Sequence, residues 1–268
     1  NFTDNAKKAT IEAAEIAGLE VLYLLEEPVA AAIRYGFNSS KDQNILVYDL
    51  GGGTFDVCIL KAETEEEGNA NYEILAKEGI NKLGGDDFDR KLMELINEKF
   101  REECGMDLLD TQKDQGVSRK KLKEAMQKLK EAAEMTKIEL SEADACNVMI
   151  PNIIQNEKGE WLNVDVEIDR KEFNDRIENL IYKTEDTVRK ALENAKLTID
   201  DIDKIILVGG STLVPIIKEK IKEMFGVEPY SNFNPITIVA EGAAVFGATM
   251  SVPSDCIDNY EEKPEGDI

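Results

Sequence analysis

The chain has 268 residues, with 32 Lys and Arg against 55 Asp and Glu and no histidine, so its formal net charge is −23. The lack of histidine excludes a Ser-His-Asp or Cys-His relay, a His-ligated metal and an imidazole switch near neutral pH. The acidic balance argues against nucleic acid as a partner and against an anionic membrane surface. With 42% hydrophobic residues, the composition is typical of a globular protein of one large or two small domains.

The four cysteines are scattered along the chain without the CxxC spacing of a metal site or redox motif: Cys58, Cys104, Cys146 and Cys256. We expect free thiols in a reducing compartment, which favours a cytoplasmic protein. No apolar run reaches the roughly 20 residues of a membrane helix, and no signal sequence is evident at the start.

The first third of the chain predicts helices over 3–18 and 29–35, then strands over 44–49, 55–60 and 72–80. Thr3 or Asp4 can cap the first helix, and Gly18 stands where a left-handed C-terminal cap is expected. The strand that follows Gly51-Gly52-Gly53 alternates apolar and polar residues, so it is expected to return as a hairpin.

The remainder predicts helices over 88–100, 122–133, 169–192, 214–225 and 239–250, a hairpin of 147–154 with 161–168, and a buried strand over 204–208. Apolar residues at 3–4 spacing carry the helix predictions. Residues 107–117 are polar and are expected to form a loop. The acidic stretch 253–268 has no core pattern and is expected to be a loosely attached tail.

Two junctions between a buried strand and a glycine turn could carry chemistry: Asp49-Leu50-Gly51-Gly52-Gly53-Thr54 and Gly209-Gly210-Ser211-Thr212. Consecutive glycines leave the backbone open, so that amide groups can approach an anion. At the second junction a helix N-terminus is expected to add partial positive charge. Either pattern alone is also typical of an ordinary hairpin turn or helix entry, and only their joint presence favours a phosphate site.

Asp49 places a carboxylate beside the first glycine turn, where a phosphate would be repelled by it. A cation between the two removes that repulsion, and Mg²⁺ held largely through water meets this need. The pattern therefore favours a metal-dependent phosphate site over a basic one.

Four segments together resemble the nucleotide-binding domain of DnaK-type, seventy-kilodalton heat-shock chaperones: EEPVAAAIRYG at 26–36, VYDLGGGTFDV at 47–57, LGGDDFD at 83–89 and ILVGGST at 206–212. The resemblance runs from Phe2 to about Gly247, with the motifs in the family's order. It implies an α/β fold, an actin-like ATPase (ribonuclease H-like) lobe with an inserted α+β subdomain, and ATP or ADP with Mg²⁺ as ligands.

The resemblance also implies roles for the residues at the first junction. Gly51, Gly52, Gly53 and Thr54 would wrap the β- and γ-phosphates. Glu27, Asp49 and Asp56 would hold Mg²⁺ mostly through water, and with Thr54 they are the implied catalytic residues. Glu27 can also be interpreted as the N-cap of a helix with Pro28 at its first position, and the two roles are compatible.

A second implied set contacts the nucleoside: Glu134, Lys137, Ile138, Ser141, Gly209, Gly210, Ser211 and Leu213. Spacings of 3 and 4 place Glu134, Lys137 and Ser141 on one helical face. Without the resemblance, the same pattern is typical of a solvated face with a weak ion pair.

Departures from the family pattern occur at positions near the implied ligand. Leu213 stands where many members have an arginine that stacks on adenine, and Ile138 is also apolar, so we expect an aliphatic clamp on the base. Ile236 stands in the family's NPDEAVA segment at its acidic position, which removes one carboxylate near the metal.

By resemblance, a remnant of the first lobe spans 1–40 and 234–252, an inner subdomain of the second lobe 41–83 and 169–233, an outer subdomain 84–168, and an acidic tail 253–268. The family's first phosphate loop and catalytic lysine lie upstream of the segment that matches Phe2, so we expect these 268 residues alone to hydrolyse ATP poorly. Implied partners are J-domain co-chaperones, a nucleotide-exchange factor on the outer subdomain, and unfolded polypeptide through a further domain. The alternatives are a nucleotide-binding pseudo-ATPase and another actin-like or sugar-kinase relative.

Overall fold

The computed structural model describes residues 3–36, 42–64, 70–112 and 116–250. The helices are α1 Asp4–Ile16, α2 Glu27–Tyr35, α3 Gly85–Cys104, α4 Arg119–Glu142, α5 Arg170–Ala195, α6 Pro215–Phe225 and α7 Ile238–Thr249. The strands are β1 Gln43–Leu50, β2 Phe55–Thr64, β3 Ala70–Ile80, β4 Ala145–Gln155, β5 Trp161–Asp169 and β6 Lys204–Val208. The acidic stretch predicted as a tail, and Cys256 within it, lie outside the described residues.

A four-stranded sheet in the order β3-β2-β1-β6 forms the centre of the fold. β2 is antiparallel to both β1 and β3, whereas β6 is parallel to β1. The register pairs Asp49 with Asp56 on one side and with Val208 on the other. Because β1 and β6 are parallel, their carboxyl ends lie at the same edge, and both glycine junctions therefore meet there.

The two faces of this sheet pack against different sets of helices. Alternate residues such as Tyr48 and Val57 join a large core with α3, α5 and α6. The opposite set, which includes Val47 and Cys58, packs on α2 and α7. Asp49 and Asp56 share the parity of Val47 and Cys58, so their carboxylates lie on the α2 face, at the end where its apolar core stops.

Helices α2 and α7 touch backbone to backbone, which explains why both segments consist of small residues. A Cβ on Gly242 of α7 would lie 1.8 Å from the carbonyl oxygen of Ala30 in α2. Arg34 of α2 is paired with Glu241 of α7 at 2.5 Å, at the rim of this contact. The close approach fixes the position of α2, whose first residue is Glu27.

Helices α3 and α4 pack on the two-stranded sheet of β4 and β5, and their apolar residues continue the core of the central sheet without a break. Asp169 caps α5 through a capping box with Glu172. The segment predicted as a loop is irregular where it is described, but Leu108 within it is buried. The amide of Leu108 donates to Asn97 Oδ1 at 2.7 Å, which fastens that loop to α3.

Two local predictions need correction. Gly210–Leu213 forms a 3₁₀ turn, and α6 begins only at Pro215, because Pro lacks an N–H and its fixed φ suits the first helical position. The N-terminus of α6 therefore does not follow the glycine pair directly. The N-cap of α2 is Glu26, and Glu27 is already the first helical residue. By contrast, Thr3 caps α1 as predicted, accepting from the amide of Ala6.

Candidate functional site

The loop between β1 and β2 presents open backbone at the sheet edge. The amide of Gly51 donates to Thr54 O at 3.0 Å and closes the turn. Within the described parts of the chain, the amides of Gly52 and Gly53 donate to no protein acceptor. A Cβ added to either of these glycines would meet nothing within 4 Å. The loop thus offers two exposed donors and free space in front of them, which is the surface that a phosphate group needs.

The start of α3 closes the loop from behind. The amides of Gly85 and Asp86 donate to the carbonyls of Gly51 and Gly52 at 3.0 and 2.7 Å. A Cβ on Gly84 would lie 2.6 Å from the carbonyl oxygen of Gly52. Because the first amides of α3 are used on the loop, this helix N-terminus braces the turn.

The second glycine junction adjoins the first. Gly209 has φ +87°, and a Cβ there would lie 2.3 Å from Leu50 O, so only glycine is accommodated. The hydroxyl of Ser211 donates to Gly51 O at 2.8 Å. A Cβ on Gly85 would come within 2.6 Å of that Ser211 Oγ. Three glycine segments distant in sequence therefore form one compact junction.

Three carboxylates lie beside this junction on the α2 face. Burial, together with the nearby charges of Glu27 and Asp56, raises the pKa of Asp49 to about 7. Gly79, opposite Asp56 on β3, leaves room for that side chain, since a Cβ there would lie 2.6 Å from Asp56 Oδ1. The cluster concentrates negative charge in a partly buried place, and a cation would relieve the repulsion.

The donor set of this cluster suits Mg²⁺, a hard cation that prefers oxygen ligands and retains several waters. No group of three or more such side chains among the described residues is close enough to ligate one ion directly. Carboxylates that are electrostatically coupled without forming a direct cage are compatible with an ion held mostly through water. The residues therefore fit the implied metal in that form.

Lys137 on α4 reaches the same junction, with its Nζ 3.4 Å from Gly85 O. It is also paired at 2.7 Å with Asp89 of α3, a partner that the sequence did not predict. On the same helix, the hydroxyl of Ser141 donates to Lys137 O at 3.0 Å. Burial raises the pKa of Asp89 against the opposing effect of Lys137, and the charge of Glu134 on α4 adds to the rise. The predicted nucleoside face of α4 thus lies close to the glycine junction.

Apolar side chains stand exposed around this face. Leu213 in the 3₁₀ turn is 41% exposed and Ile138 on α4 is 52% exposed. Ile236 is 63% exposed and lies beside Gly210, where a Cβ would be 3.8 Å from its Cγ1. Its neighbour is thus the Gly209-Gly210 turn, and its aliphatic surface is available to a ligand.

Gly84-Gly85 support the loop between β1 and β2, which their place in the motif at 83–89 did not predict. The signal was present as a third glycine pair directly before a helix rich in early acids, but the loop it packs on lies more than 30 positions away. Asp89 was also missed, because a carboxylate in a helix beginning with three acids gives no sign of burial or of its partner.

The thiol prediction holds for the cysteines that the structure describes: Cys58, Cys104 and Cys146 are all free. Burial raises the pKa of Cys58 to about 12, with Asp56 contributing, and that of Cys146 to about 11, so both remain protonated. No helix in the described ranges combines the length and apolar character of a membrane span.

A comparison with protein families identifies the family to which the sequence belongs. The sequence model of the family described as Hsp70 protein matches residues 1–258. The match covers all the elements of the central sheet and the packed helices around it. The chain therefore belongs to the Hsp70 family, and its mixed α/β architecture is the actin-like ATPase fold of the nucleotide-binding domain of that family.

Proposed function

We propose that the glycine junction and the carboxylate cluster form one magnesium-dependent ATP- and ADP-binding site. Nucleotide-binding domains of Hsp70 chaperones in general bind these nucleotides with Mg²⁺. The observation that carries the proposal for this chain is the convergence of Gly51–Thr54, Gly84-Gly85 and Gly209–Ser211 beside Glu27, Asp49 and Asp56. Groups that can bind an anion and groups that can bind a cation thus lie side by side at the carboxyl ends of β1 and β6.

At the phosphate end, the exposed amides of Gly52 and Gly53 are the donors, and the exposed hydroxyl of Thr54 adds a third. Gly51 orients the loop through its bond to Thr54 O, and Ser211 holds Gly51 from behind. These hydrogen bonds lie within the protein and hold the loop in place. The donors are therefore preorganised and need no rearrangement to meet a phosphate oxygen.

At the metal end, Glu27, Asp49 and Asp56 would hold Mg²⁺, mostly through water. When bound, the ion would supply positive charge between the phosphates and an acidic cluster that would otherwise repel them. Asp49 must be ionised to do so, and its pKa of about 7 means that a bound cation shifts its proton equilibrium.

At the nucleoside end, Lys137, Glu134 and Ser141 present polar groups, while Gly209-Gly210 offers a backbone surface. Leu213, Ile138 and the neighbouring Ile236 supply exposed aliphatic area against which a base can pack. An aliphatic clamp contributes contact area without a charge, so its effect on affinity should depend little on salt.

Within the whole chaperone, we propose that ATP binding and hydrolysis at this site drive cycles of unfolded-peptide binding and release. Residues 1–40 and 234–252 then belong to the first lobe, 41–83 and 169–233 to the inner subdomain of the second, and 84–168 to the outer subdomain. J-domain co-chaperones and a nucleotide-exchange factor are the proposed helpers, the latter on the outer subdomain.

Isothermal calorimetry with ADP and excess Mg²⁺ tests the site in the 268-residue chain. We expect saturable binding with one site per chain. GDP serves as the matched ligand control, because it carries the same phosphates on a different base. No heat of binding up to millimolar ADP would contradict the proposal.

A further inference from the structure

We propose that Asp89 is a specificity-determining residue, which neutralises Lys137 so that the lysine donates hydrogen bonds to the uncharged part of the nucleotide and does not attract phosphate. The inference rests on the nucleotide site proposed above. It concerns a buried carboxylate that no part of that proposal uses.

The pair is well removed from solvent. The Asp89 residue is 4% exposed, and the Lys137 side chain is 14% exposed. Lys137 Nζ lies 2.7 Å from Asp89 Oδ1 and 3.4 Å from Gly85 O. At this separation and with little water to screen it, the field of the ammonium is largely cancelled by the carboxylate.

In the described part of the chain, the charges that act on Asp89, apart from that of Lys137, are negative. Glu134 and Asp86 lie close enough to raise the pKa of Asp89, although burial is the larger cause. The neighbouring cation Lys130 is itself paired with Asp86 at 3.4 Å. The vicinity of Lys137 is therefore neutral or negative, and its remaining N–H groups suit neutral acceptors.

The pair lies beside the glycine junction, so the charge of Lys137 can act directly on a bound nucleotide. A Cβ on Gly85 would lie 3.2 Å from Lys137 Nζ and 2.6 Å from Ser211 Oγ. The ammonium therefore stands at the point where α3, α4 and the second glycine junction meet. Asp89 acts through Lys137 and is a positioning residue, since it lies behind the lysine within α3.

The test compares the affinity for ADP with the affinity for adenosine, both at low salt with Mg²⁺. Calorimetry measures the affinity for ADP, and competition against ADP measures the affinity for adenosine. Asp89→Asn leaves Lys137 charged, so the ratio of ADP to adenosine affinity should rise about fivefold, and less at high salt. The double variant Asp89→Asn with Lys137→Gln replaces one neutral pair with another. Its ratio should stay within about twofold of the parent's, although both affinities fall.

Glu98→Gln is the matched control, because Glu98 lies on the same helix and is paired with Arg176 far from the glycine junction. It should leave the ratio unchanged. If Asp89→Asn does not fold, the double variant still decides, because removing both partners of a buried pair is tolerated better than removing one.

An unchanged or lowered ratio in folded Asp89→Asn would overturn the inference, as would a ratio that drops several-fold in the double variant. In either case ADP binding by the parent would leave the proposed site standing. Failure of the parent to bind ADP would overturn both proposals.

Discussion

Gly52-Gly53 and Gly84-Gly85 lie against each other at the edge of the sheet, yet their surroundings differ. A Cβ on Gly52 or Gly53 would enter open space, and among the described residues the amides of both donate to no protein acceptor. A Cβ on Gly84 would collide with the backbone of Gly52, and one on Gly85 with Ser211 Oγ. One pair keeps space free for a ligand, whereas the other allows two backbones to pack closely.

Within one junction, Gly52-Gly53 are therefore placed to bind a ligand, and Gly84-Gly85 are placed to stabilise the fold. Substitution in the first pair should change binding at little cost in stability, and substitution in the second should change stability first.

The largest effect is expected from Gly84→Ala. The added methyl would lie 2.6 Å from the carbonyl oxygen and carbon of Gly52, which are backbone atoms that cannot rotate away. Overpacking of this kind costs about 2–3 kcal/mol in the free energy of unfolding. Urea denaturation followed by circular dichroism measures it, and a loss below about 0.5 kcal/mol would show that the two backbones are not held in contact.

Gly53→Ala should have the opposite profile. Its free energy of unfolding should stay within about 1 kcal/mol of the parent's. Its affinity for ADP with Mg²⁺ should fall at least about tenfold, equal to about 1.4 kcal/mol, because the methyl occupies the space in front of the exposed amides. Gly247→Ala, also with nothing within 4 Å of the new Cβ, is the control and should bind as the parent does. Equal affinities for all three proteins would place the phosphates elsewhere.

Local periodicity and turn residues were sufficient to predict the order of the elements, the hairpin from β1 to β2 and the cap at Thr3. The start of α6 at Pro215 was missed although proline is favoured at a first helical position, because the apolar pattern already begins at Val214, which is the N-cap. The partner of Lys137 depends on tertiary packing. The residue assignments at the site came from a family resemblance, and spacing alone left them open.

Asp49→Asn tests the carboxylate cluster. The folded-state pKa of Asp49 is raised to about 7 from an ordinary 3.8, so the parent loses stability as the pH rises through that interval. The variant should gain stability relative to the parent as the pH rises from 4 to 8, and the gain should vanish below pH 4. Thermal unfolding across pH 4 to 8 measures this.

The same variant should lose most of the dependence of ADP affinity on Mg²⁺, while Asp175→Asn, on the exposed face of α5, should retain it. A gain in stability that is equal at all pH values would contradict the assigned cause.

The smallest effect is expected from Leu213→Ala. Truncation removes part of an exposed aliphatic surface, so ADP affinity should fall about threefold to fivefold, and the fall should be the same at low and high salt. Stability should change little, because the side chain is 41% exposed. Unchanged affinity in a calorimetric titration would count against an aliphatic clamp on the base.

The central claim is that the glycine junction and the carboxylate cluster act as one metal-dependent nucleotide site. Calorimetric titration of the chain with ADP at pH 7, with Mg²⁺ or with EDTA and in two buffers of different ionisation enthalpy, tests it most directly. Tighter binding in Mg²⁺ is expected, with release of about half a proton as Asp49 ionises from its pKa of about 7. Equal affinity in Mg²⁺ and EDTA, with no proton released, would contradict it.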